Sequence, residues 1–463
     1  MRIVYRVCIN GDVFFAQKGD LLSQVLIKNG VNAEHPCGGR GQCRKCAVFI
    51  DGKKELSCKY VIRSDINVTS EKNNKIISEK GVVTVNKNAK NTCFSLDIGT
   101  TTLALALVCL DNGEILKVVT ATNPQRIYGA DVISRIDFCS KNGVEKLQRT
   151  LITKVNLMIK ELCSNKIDKM YVSANATMLH IFFGEDCSSI GVAPYKAKFL
   201  ESKKIKASLL GVENVQEVES LPSIHAFVGA DIVAGLNFVG FPKAEKYNLL
   251  VDLGTNAEIA LFSKEKVLCT SAAAGPCFEG VNISCGMSAT EGAIYSYKKG
   301  SVKTIGNTIP KGICGTGLVD IVAQLLSDGA IDETGHMEKD FSLFYGVSLT
   351  QEDVREFQQA KSAVCSGIQT LVKQAEISFE DIENVYISGG FSAELNIENA
   401  VKTGLLPEDV KEKCVPVNNS SFLGAVKYAY EKNDLSAFLR NAEYIDLSST
   451  EIFSDLFIEN MMF

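Results

Sequence analysis

Two stretches decide the architecture of most of this chain: residues 93–101, CFSLDIGTT, and residues 247–256, YNLLVDLGTN. Each is an apolar run that ends in Asp-x-Gly-Thr. Buried strands of α/β sheets read as near-continuous apolar runs. Each stretch is therefore expected to be a central strand that carries an aspartate, Asp97 or Asp252, to the sheet's carboxyl edge, where ligands of open α/β sheets bind. The two aspartates lie 155 positions apart, 252 minus 97. Two more strand-like runs follow each of them: Leu103–Cys109 and Ile115–Thr122 after the first, Glu258–Phe262 and Lys266–Ala272 after the second. A repeated element order indicates internal duplication, with one lobe at 92–245 and another at 246–463.

The remaining periodicities fill in both lobes. Helical patterns run near 130–139 and 144–163, a strand over Lys169–Ala174 and a helix over Ala176–Phe183. Residues 184–222 read as irregular, Ile224–Val228 as a strand, and GADIVAGLNF (229–238) as the opening of a helix. In the second half a helix is expected from Gly315-Thr316-Gly317 and a long one over Val354–Gln374. A strand at Val385–Ser388 should run into Ser388-Gly389-Gly390-Phe391. The apolar tail Phe453–Phe463 is expected to pack on the second lobe.

The Asp-x-Gly-Thr loops carry chemistry. Their glycines, Gly99 and Gly254, allow a tight turn. Backbone N–H groups and the side chains of Thr100, Thr101, Thr255 and Asn256 then face outward, where they can hold phosphate oxygens. Two such loops facing each other can clamp a nucleotide polyphosphate. Mg²⁺ keeps several waters and takes one or two carboxylates, a role open to Asp97 and Asp252. Ser388, Gly389 and Gly390 sit at a strand–helix junction where a side chain would block a flat ring, which suits the adenosine end. Gly315, Thr316 and Gly317 open a helix and offer a further anion site. The chain has no G-x-x-x-x-G-K-[ST] loop, so it is not a P-loop protein.

Residues 2–9 and 12–17 read as a hairpin with the turn Asn10-Gly11. A short helix follows over Leu21–Asn29, then strands at Ala47–Ile50 and Ile66–Thr69. A small sheet with one helix is the β-grasp plan. Its loop, HPCGGRGQCRKC (35–46), and the continuation to residue 58 hold Cys37, Cys43, Cys46 and Cys58. Glycines let a backbone fold tightly around a bulky guest, and four thiolates suit a [2Fe–2S] cluster. A zinc site takes the same ligands, although zinc motifs more often show two C-x2-C knuckles where this loop has one. Residues 71–91 are rich in Lys, Asn and Glu, with a weak strand signal at Val82–Val85. The segment 81–91 is expected to be a linker after a first domain at 1–80.

Composition narrows the classes. The 463 residues exceed one core. Net charge is −5, with no basic excess, so a nucleic-acid partner is not expected. No apolar run reaches membrane-span length, and no signal-peptide core opens the chain. Sixteen cysteines without a secretion signal point to a reducing, anaerobic cytoplasm. The twelve cysteines outside the loop read as buried small hydrophobes.

The CGGRGQCRKC loop and its sheet resemble the plant- and adrenodoxin-type [2Fe–2S] ferredoxins. The close spacing to Cys58 departs from the plant type and is similar to ferredoxin domains fused to larger reductases. The resemblance gives all four cysteines the ligand role. Asp97–Thr101, Asp252–Asn256 and Ser388–Phe391 resemble the ATPase superfamily of actin, heat-shock chaperones and sugar kinases. That implies two RNase-H-like lobes with ATP in the hinge cleft. The fold class is thus an α+β β-grasp ferredoxin domain followed by an α/β two-lobed, actin-like ATPase domain.

The combination resembles the reductive activators of corrinoid proteins, as do the stretches 123–136, 274–294 and 313–320. This chain looks shorter than the longest members of that family. The resemblance implies one-electron reduction of Co(II) to Co(I) on a corrinoid protein of a methyltransferase system. It also implies ATP hydrolysis, a low-potential electron donor and a homodimer. Three other readings compete. One is a redox-sensing small-molecule kinase with Asp231 as general base. Another is the activator of a radical dehydratase, with Cys277 and Cys285 as its cluster ligands. The last is a binding module with a dead ATP site.

Overall fold

The central strand of the first large sheet, β6, is buried along all but its first residue. Alternate side chains of a strand leave on opposite faces, so such a strand needs a cover on each side. The computed structural model supplies both, and it describes residues 4–9, 12–28, 46–69, 91–163, 165–241, 243–344, 346–390, 392–435 and 439–463.

The chain opens with strands β1 (Val4–Ile9) and β2 (Asp12–Gln17), helix α1 (Leu22–Lys28), and strands β3 (Ala47–Ile50), β4 (Lys53–Leu56) and β5 (Ile66–Thr69). They form one five-stranded sheet in the order β2-β1-β5-β3-β4. β1 pairs antiparallel with β2, from Val4↔Gln17 to Ile9↔Asp12, and parallel with β5. Val7, Ile9, Val48, Ile50, Ile66 and Val68 meet Leu22, Val25 and Leu26 of α1 in a small core. The hairpin, the helix and the strands follow the expected order. The turn Asn10-Gly11, the cysteine loop up to Lys45, and residues 70–90 with the linker and the strand at Val82–Val85 lie outside the described residues.

The first lobe comprises β6 (Thr92–Ile98), β7 (Thr102–Cys109), β8 (Ile115–Thr122), α2 (Val132–Asn142), α3 (Glu145–Leu162), β9 (Ile167–Ala174), α4 (Ala176–Phe183), β10 (Lys204–Lys206), α5 (Ala207–Leu210), β11 (Val215–Ser220) and α6 (Ala230–Phe238). The second comprises β12 (Tyr247–Leu253), β13 (Ala257–Phe262), β14 (Val267–Ala272), β15 (Ala293–Lys298), β16 (Ser301–Thr304), β17 (Gly312–Ile313), α7 (Gly315–Ser327), β18 (Phe341–Phe344), β19 (Val347–Leu349), α8 (Gln351–Gln374), β20 (Ile382–Ser388), α9 (Ile397–Lys402), β21 (Cys414–Pro416), α10 (Ser420–Glu431), β22 (Ala442–Tyr444) and α11 (Glu451–Glu459).

The sheet orders are β10-β11-β9-β6-β7-β8 and β21-β20-β12-β13-β14-β22. In each, the first strand pairs antiparallel with the second and parallel with the strand that returns after the helices. The duplication expected from the repeated loops is thus present in five strands of each sheet, β11-β9-β6-β7-β8 and β21-β20-β12-β13-β14, while β10 and β22 have no counterpart. The registers agree as well: Asp97 lies opposite Ser173, and Asp252 opposite Ser388.

Two helices are exchanged between the halves. Phe94, Leu96 and Ile98 face α3, while the other face of that sheet is covered by Phe422, Val426 and Ala429 of α10, from the second half. In the second sheet Leu249, Val251 and Leu253 face α8, and Leu250 packs with Ile232 and Leu236 of α6, from the first half. α6 is apolar on nearly every side, as a helix enclosed by other elements must be. α6 and α10 cross closely. A Cβ on Gly424 would stand 1.8 Å from the Ala234 carbonyl oxygen.

Two expectations fail between residues 184 and 228. Residues 184–222, read as irregular, contain β10, α5 and β11. β11 is VQEVES, whose polar residues hide its pairing with the buried strand β9. Residues 224–228, read as a strand, form a tight loop closed by a His225–Val228 bridge, in which the Ile224 and His225 N–H groups both donate to the Val228 carbonyl. The tail packs on the second lobe as expected. Phe463 stacks on Phe357 of α8, and Gln358 donates to the Met461 carbonyl at 2.7 Å.

Candidate functional site

Asp97 ends β6 almost fully buried. It accepts hydrogen bonds from Ser421 Oγ at 2.7 Å and Asn419 Nδ2 at 3.3 Å, both at the start of α10. Burial pushes its carboxyl up to about 6, those hydrogen bonds pull it down, and the charge of Asp252 raises it further. Asp252 ends β12 and is likewise pushed up to about 6 by burial, with the Ser388 hydroxyl lowering it. The effect of Asp252 on Asp97 puts the two aspartates in one electrostatic site, although 155 positions separate them.

Two more carboxylates belong to it. Asp231, in the first turn of α6, is raised to about 7 by burial, then Asp252, with Asp97 contributing. Glu258, directly opposite Asp252 on β13, is held well above its ordinary range by burial and by Asp231 and Asp252. Its counterpart in the first lobe, opposite Asp97 on β7, is Ala104. Four acids in one cleft disfavour full ionisation unless a cation joins them. Among the described residues no group of three or more His, Cys, Asp or Glu is arranged to hold a metal ion directly. A hydrated Mg²⁺, which takes one or two carboxylates and keeps its waters, is compatible with that arrangement.

The two loops are held from behind. In the first, Gly99 N donates to the Thr102 carbonyl at 2.9 Å, and a Cβ on Gly99 would stand 2.6 Å from that oxygen. Asn123 Nδ2 donates to the Gly99 carbonyl at 2.8 Å, and Asn175 Nδ2 to Thr100 Oγ1 at 3.3 Å. The fully buried Arg135 of α2 donates to the Thr100 carbonyl at 2.5 Å and to the Gly129 carbonyl at 3.1 Å. In the second loop Gly254 N donates to the Asn256 carbonyl at 2.9 Å, and Thr255 Oγ1 donates to Glu279 Oε1 at 2.8 Å. Glu279 is raised by burial and drawn back by Thr255, Arg126 and Arg135. The stretches 123–136 and 274–294 therefore carry the props of the two loops.

The third glycine motif serves differently from the expectation. Gly389 has φ +109°, and a Cβ there would stand 2.2 Å from the Leu253 carbonyl oxygen, so its glycine is set by close backbone approach. Gly390 faces open space, and Ser388 Oγ bonds Ser420 Oγ at 2.7 Å. Phe391 lies outside the described residues. Gly315 and Gly317 open α7 fully buried against the Phe278 and Ile294 carbonyls, at 2.2 and 2.1 Å from an added Cβ, and Thr316 is buried. Helix packing accounts for both glycines.

Of the four loop cysteines, Cys46 and Cys58 are described. Both are buried, with sulfurs 3.2 Å apart. That is too long for a bond, which is about 2.05 Å. It is close to the ~3.7 Å expected for two thiolates at ~2.3 Å from one tetrahedral metal. The buried hydroxyl of neighbouring Ser57 has no hydrogen-bond partner among the described residues. Cys37 and Cys43 lie outside the described residues. Elsewhere Cys277 is buried and its thiol pushed up by burial. The half-buried thiol of Cys285 donates to the Gly346 carbonyl and accepts from Ser348 N.

Sequence reasoning missed Asn123, Arg135, Asn175, Glu258, Asn419 and Ser421. Some signals were present. Asn123 precedes a proline, and Arg135 interrupts an apolar helix face. Glu258 and the α10 residues gave none, because their role arises only from register and from the helix exchange.

Two sheets of one plan, with an aspartate at the same edge of each first strand and a glycine turn behind it, define a two-lobed fold of the actin and sugar-kinase class. Residues 92–244 match the family described as the RACo middle region, and residues 246–463 match the C-terminal domain of RACo, the ASKHA domain. Residues 92–463 thus belong to RACo-family domains. The chain is 29% identical over 416 residues to the corrinoid activation enzyme RamQ of Eubacterium limosum, covering 80% of this chain and 70% of that one. It is 27% identical over 411 residues to the [Co(II) methylated amine-specific corrinoid protein] reductase of Methanosarcina barkeri, covering 79% and 76%. A solved structure described as a reductive activator for corrinoid, iron-sulfur protein shares the fold at a TM-score of 0.72 and 24% identity, covering 99% of this chain and 98% of its own. Among the described residues no helix is long and apolar enough to cross a membrane.

Proposed function

We propose that this protein is a reductive activator of a corrinoid protein in a methyltransferase system. In this reading residues 1–80 form a β-grasp ferredoxin domain, 81–91 a linker, and 92–245 and 246–463 the two ATPase lobes. The observation that carries it is one chain that joins a converging cysteine pair, Cys46 and Cys58, to two strand-end aspartates near enough for the charge of Asp252 to raise Asp97. The sheet order β2-β1-β5-β3-β4 supports the β-grasp assignment. The relatives named for corrinoid activation and Co(II) corrinoid reduction support the substrate class.

Cys37, Cys43, Cys46 and Cys58 hold the [2Fe–2S] cluster, which when bound supplies one low-potential electron for Co(II). Asp97 and Asp252 hold the waters of Mg²⁺, which when bound neutralises the polyphosphate of ATP. Gly99, Thr100, Thr101, Gly254, Thr255 and Asn256 present N–H and hydroxyl donors to the phosphates. Ser388, Gly389 and Gly390 border the adenosine end, and Gly315, Thr316 and Gly317 give the helix opening beside the second loop. Because α6 and α10 are exchanged, a movement of either loop reaches both sheets. Plant-type clusters lie near roughly −400 mV, and the Co(II)/Co(I) couple implied by the resemblance lies lower. Each ~59 mV of that gap costs about tenfold in equilibrium. ATP offsets it through conformational linkage, by changing which state of the partner the two lobes hold.

The small-molecule kinase remains a second reading, favoured by Asp231 at about 7, near the value a general base needs. The dehydratase-activator reading is weakened by the burial of Cys277 and the engaged thiol of Cys285. A cytoplasmic homodimer with a low-potential donor completes the proposal, and light scattering tests the dimer.

The deciding experiment mixes the protein anaerobically with a Co(II) corrinoid protein and a low-potential reductant, with and without MgATP. Growth of the Co(I) absorption band that depends on ATP is expected. A fully loaded protein that yields no Co(I) with several corrinoid partners would sink the proposal.

A further inference from the structure

Ser57 is fully buried, and its Oγ has no hydrogen-bond partner among the described residues. Its backbone is satisfied on both sides: its N–H donates to the Cys46 carbonyl at 3.0 Å, and its carbonyl accepts from Ser23 N at 3.1 Å. The hydroxyl alone is orphaned. A buried polar group without a partner costs free energy, so a serine in such a place calls for an acceptor. Two other buried hydroxyls, Ser95 and Thr308, are also unpartnered. What distinguishes Ser57 is its position.

The β3–β4 hairpin pairs Ala47 with Leu56. The next pair along that register is Cys46 with Ser57, and the bond from Ser57 N to the Cys46 carbonyl continues the ladder. Side chains of a directly opposed antiparallel pair leave the same face, about 4.5–5.5 Å apart at Cβ. Ser57 and Cys46 are therefore directly opposed across the hairpin, on one face. The chain turns just after it, with Lys59 N and Tyr60 N both donating to the Leu56 carbonyl. That turn brings Cys58 back to 3.2 Å from Cys46. An unpartnered donor is thus next in the chain to one of two converging thiols and opposite the other across the hairpin.

We infer that the Ser57 hydroxyl is a built-in donor to a sulfur of the cluster that Cys46 and Cys58 help to hold, and that it sets the cluster's reduction potential. The inference rests on the [2Fe–2S] reading above. Reduction adds negative charge to the sulfurs, so a donor favours the reduced form and raises the potential. Ser57 is a positioning and tuning residue that takes no part in bond making.

The test is an EPR-monitored redox titration of the full-length, cluster-loaded protein and of Ser57→Ala and Ser57→Thr, each with iron and sulfide counted. Net hydrogen bonds contribute about 1 kcal/mol. Ser57→Ala is therefore expected to shift the one-electron equilibrium about fivefold toward the oxidised form, ~40 mV lower at 59 mV per tenfold. Ser57→Thr should keep the wild-type value. Resonance Raman Fe–S bands of the wild type should shift in D₂O, and that shift should vanish in Ser57→Ala. A Ser57→Ala protein with full iron and sulfide, an unchanged potential and the same D₂O shift would overturn the inference and leave the cluster reading intact. Wild-type protein with zinc or without acid-labile sulfide would overturn both.

Discussion

Asp97 carries a buried carboxyl that opposes folding once it is ionised. Its carboxyl is raised from 3.8 to about 6. The folded state thus binds the proton more tightly than the unfolded chain, so this group's contribution is fully favourable below 3.8 and is lost as pH rises through 6. Asp97→Asn keeps the shape and the acceptor for Ser421 but removes the buried charge. Above pH 7, without metal, it should be more stable than the wild type by about 2 kcal/mol, read from urea unfolding of the two lobes. Its Mg²⁺-dependent ATP affinity or turnover should fall about 10–100-fold, the usual cost of losing a group that acts on a metal through its waters. The same shift fixes a pH profile. Mg²⁺ needs ionised carboxylates, and both Asp97 and Asp252 lie at about 6. MgATP binding should weaken steeply below pH 6, while the metal-free lobes grow more stable between pH 6 and 4. Calorimetric titration and thermal unfolding at pH 5 and 7.5 read the two opposite trends. Parallel trends would rule out these carboxylates as the cation's anchors.

At the scale of elements, what sequence could reveal was periodic or punctuated. The strands β6 and β12 are apolar runs ended by Asp-x-Gly-Thr, and the helix after GAD follows its pattern. What sequence could not reveal was pairing across the halves. Gly235 and Gly424 look like ordinary helix-interior glycines, and only the crossing of α6 with α10 explains them. An added methyl on Gly424 would meet the Ala234 carbonyl at 1.8 Å, and one on Gly235 the Leu250 and Ser420 side chains at 2.8 Å. β11 was missed because its polar residues mask a buried partner, and Glu258 because only register puts it opposite Asp252. The crossing also explains why Asn419 and Ser421, late in the chain, reach Asp97. Gly424→Ala must push two helix backbones apart and should cost about 3 kcal/mol, the upper range for overpacking, in a urea melt. Gly254→Ala meets nothing closer than 3.4 Å and should cost much less. Equal losses in the two variants would mean that the crossing is looser than its geometry indicates.

At the scale of the whole molecule, the proposal needs two centres that are chemically independent yet linked through shape. The thiols of Cys46 and Cys58 are buried beside the small five-stranded sheet, and the four carboxylates belong to the two larger sheets and to α6. Independence is testable in the full-length chain. Cys46→Ser with Cys58→Ser should lose iron, since each removes a thiolate from a converging pair. It should still bind MgATP with wild-type affinity, because none of the cleft's groups has changed. Iron that survives both substitutions would move the cluster to cysteines of the two large lobes and revive the dehydratase-activator reading. Linkage shows in the rate. If ATP acts through what the lobes hold, hydrolysis by the protein alone should be slow and should rise at least about tenfold when a Co(II) corrinoid protein is added, because a partner that binds one lobe arrangement better shifts its population. The Cys46→Ser, Cys58→Ser protein should show that stimulation too, since binding of the partner and passage of the electron are separate steps. Fast hydrolysis without any partner would break the linkage and favour the second reading, a small-molecule kinase with Asp231 as its general base.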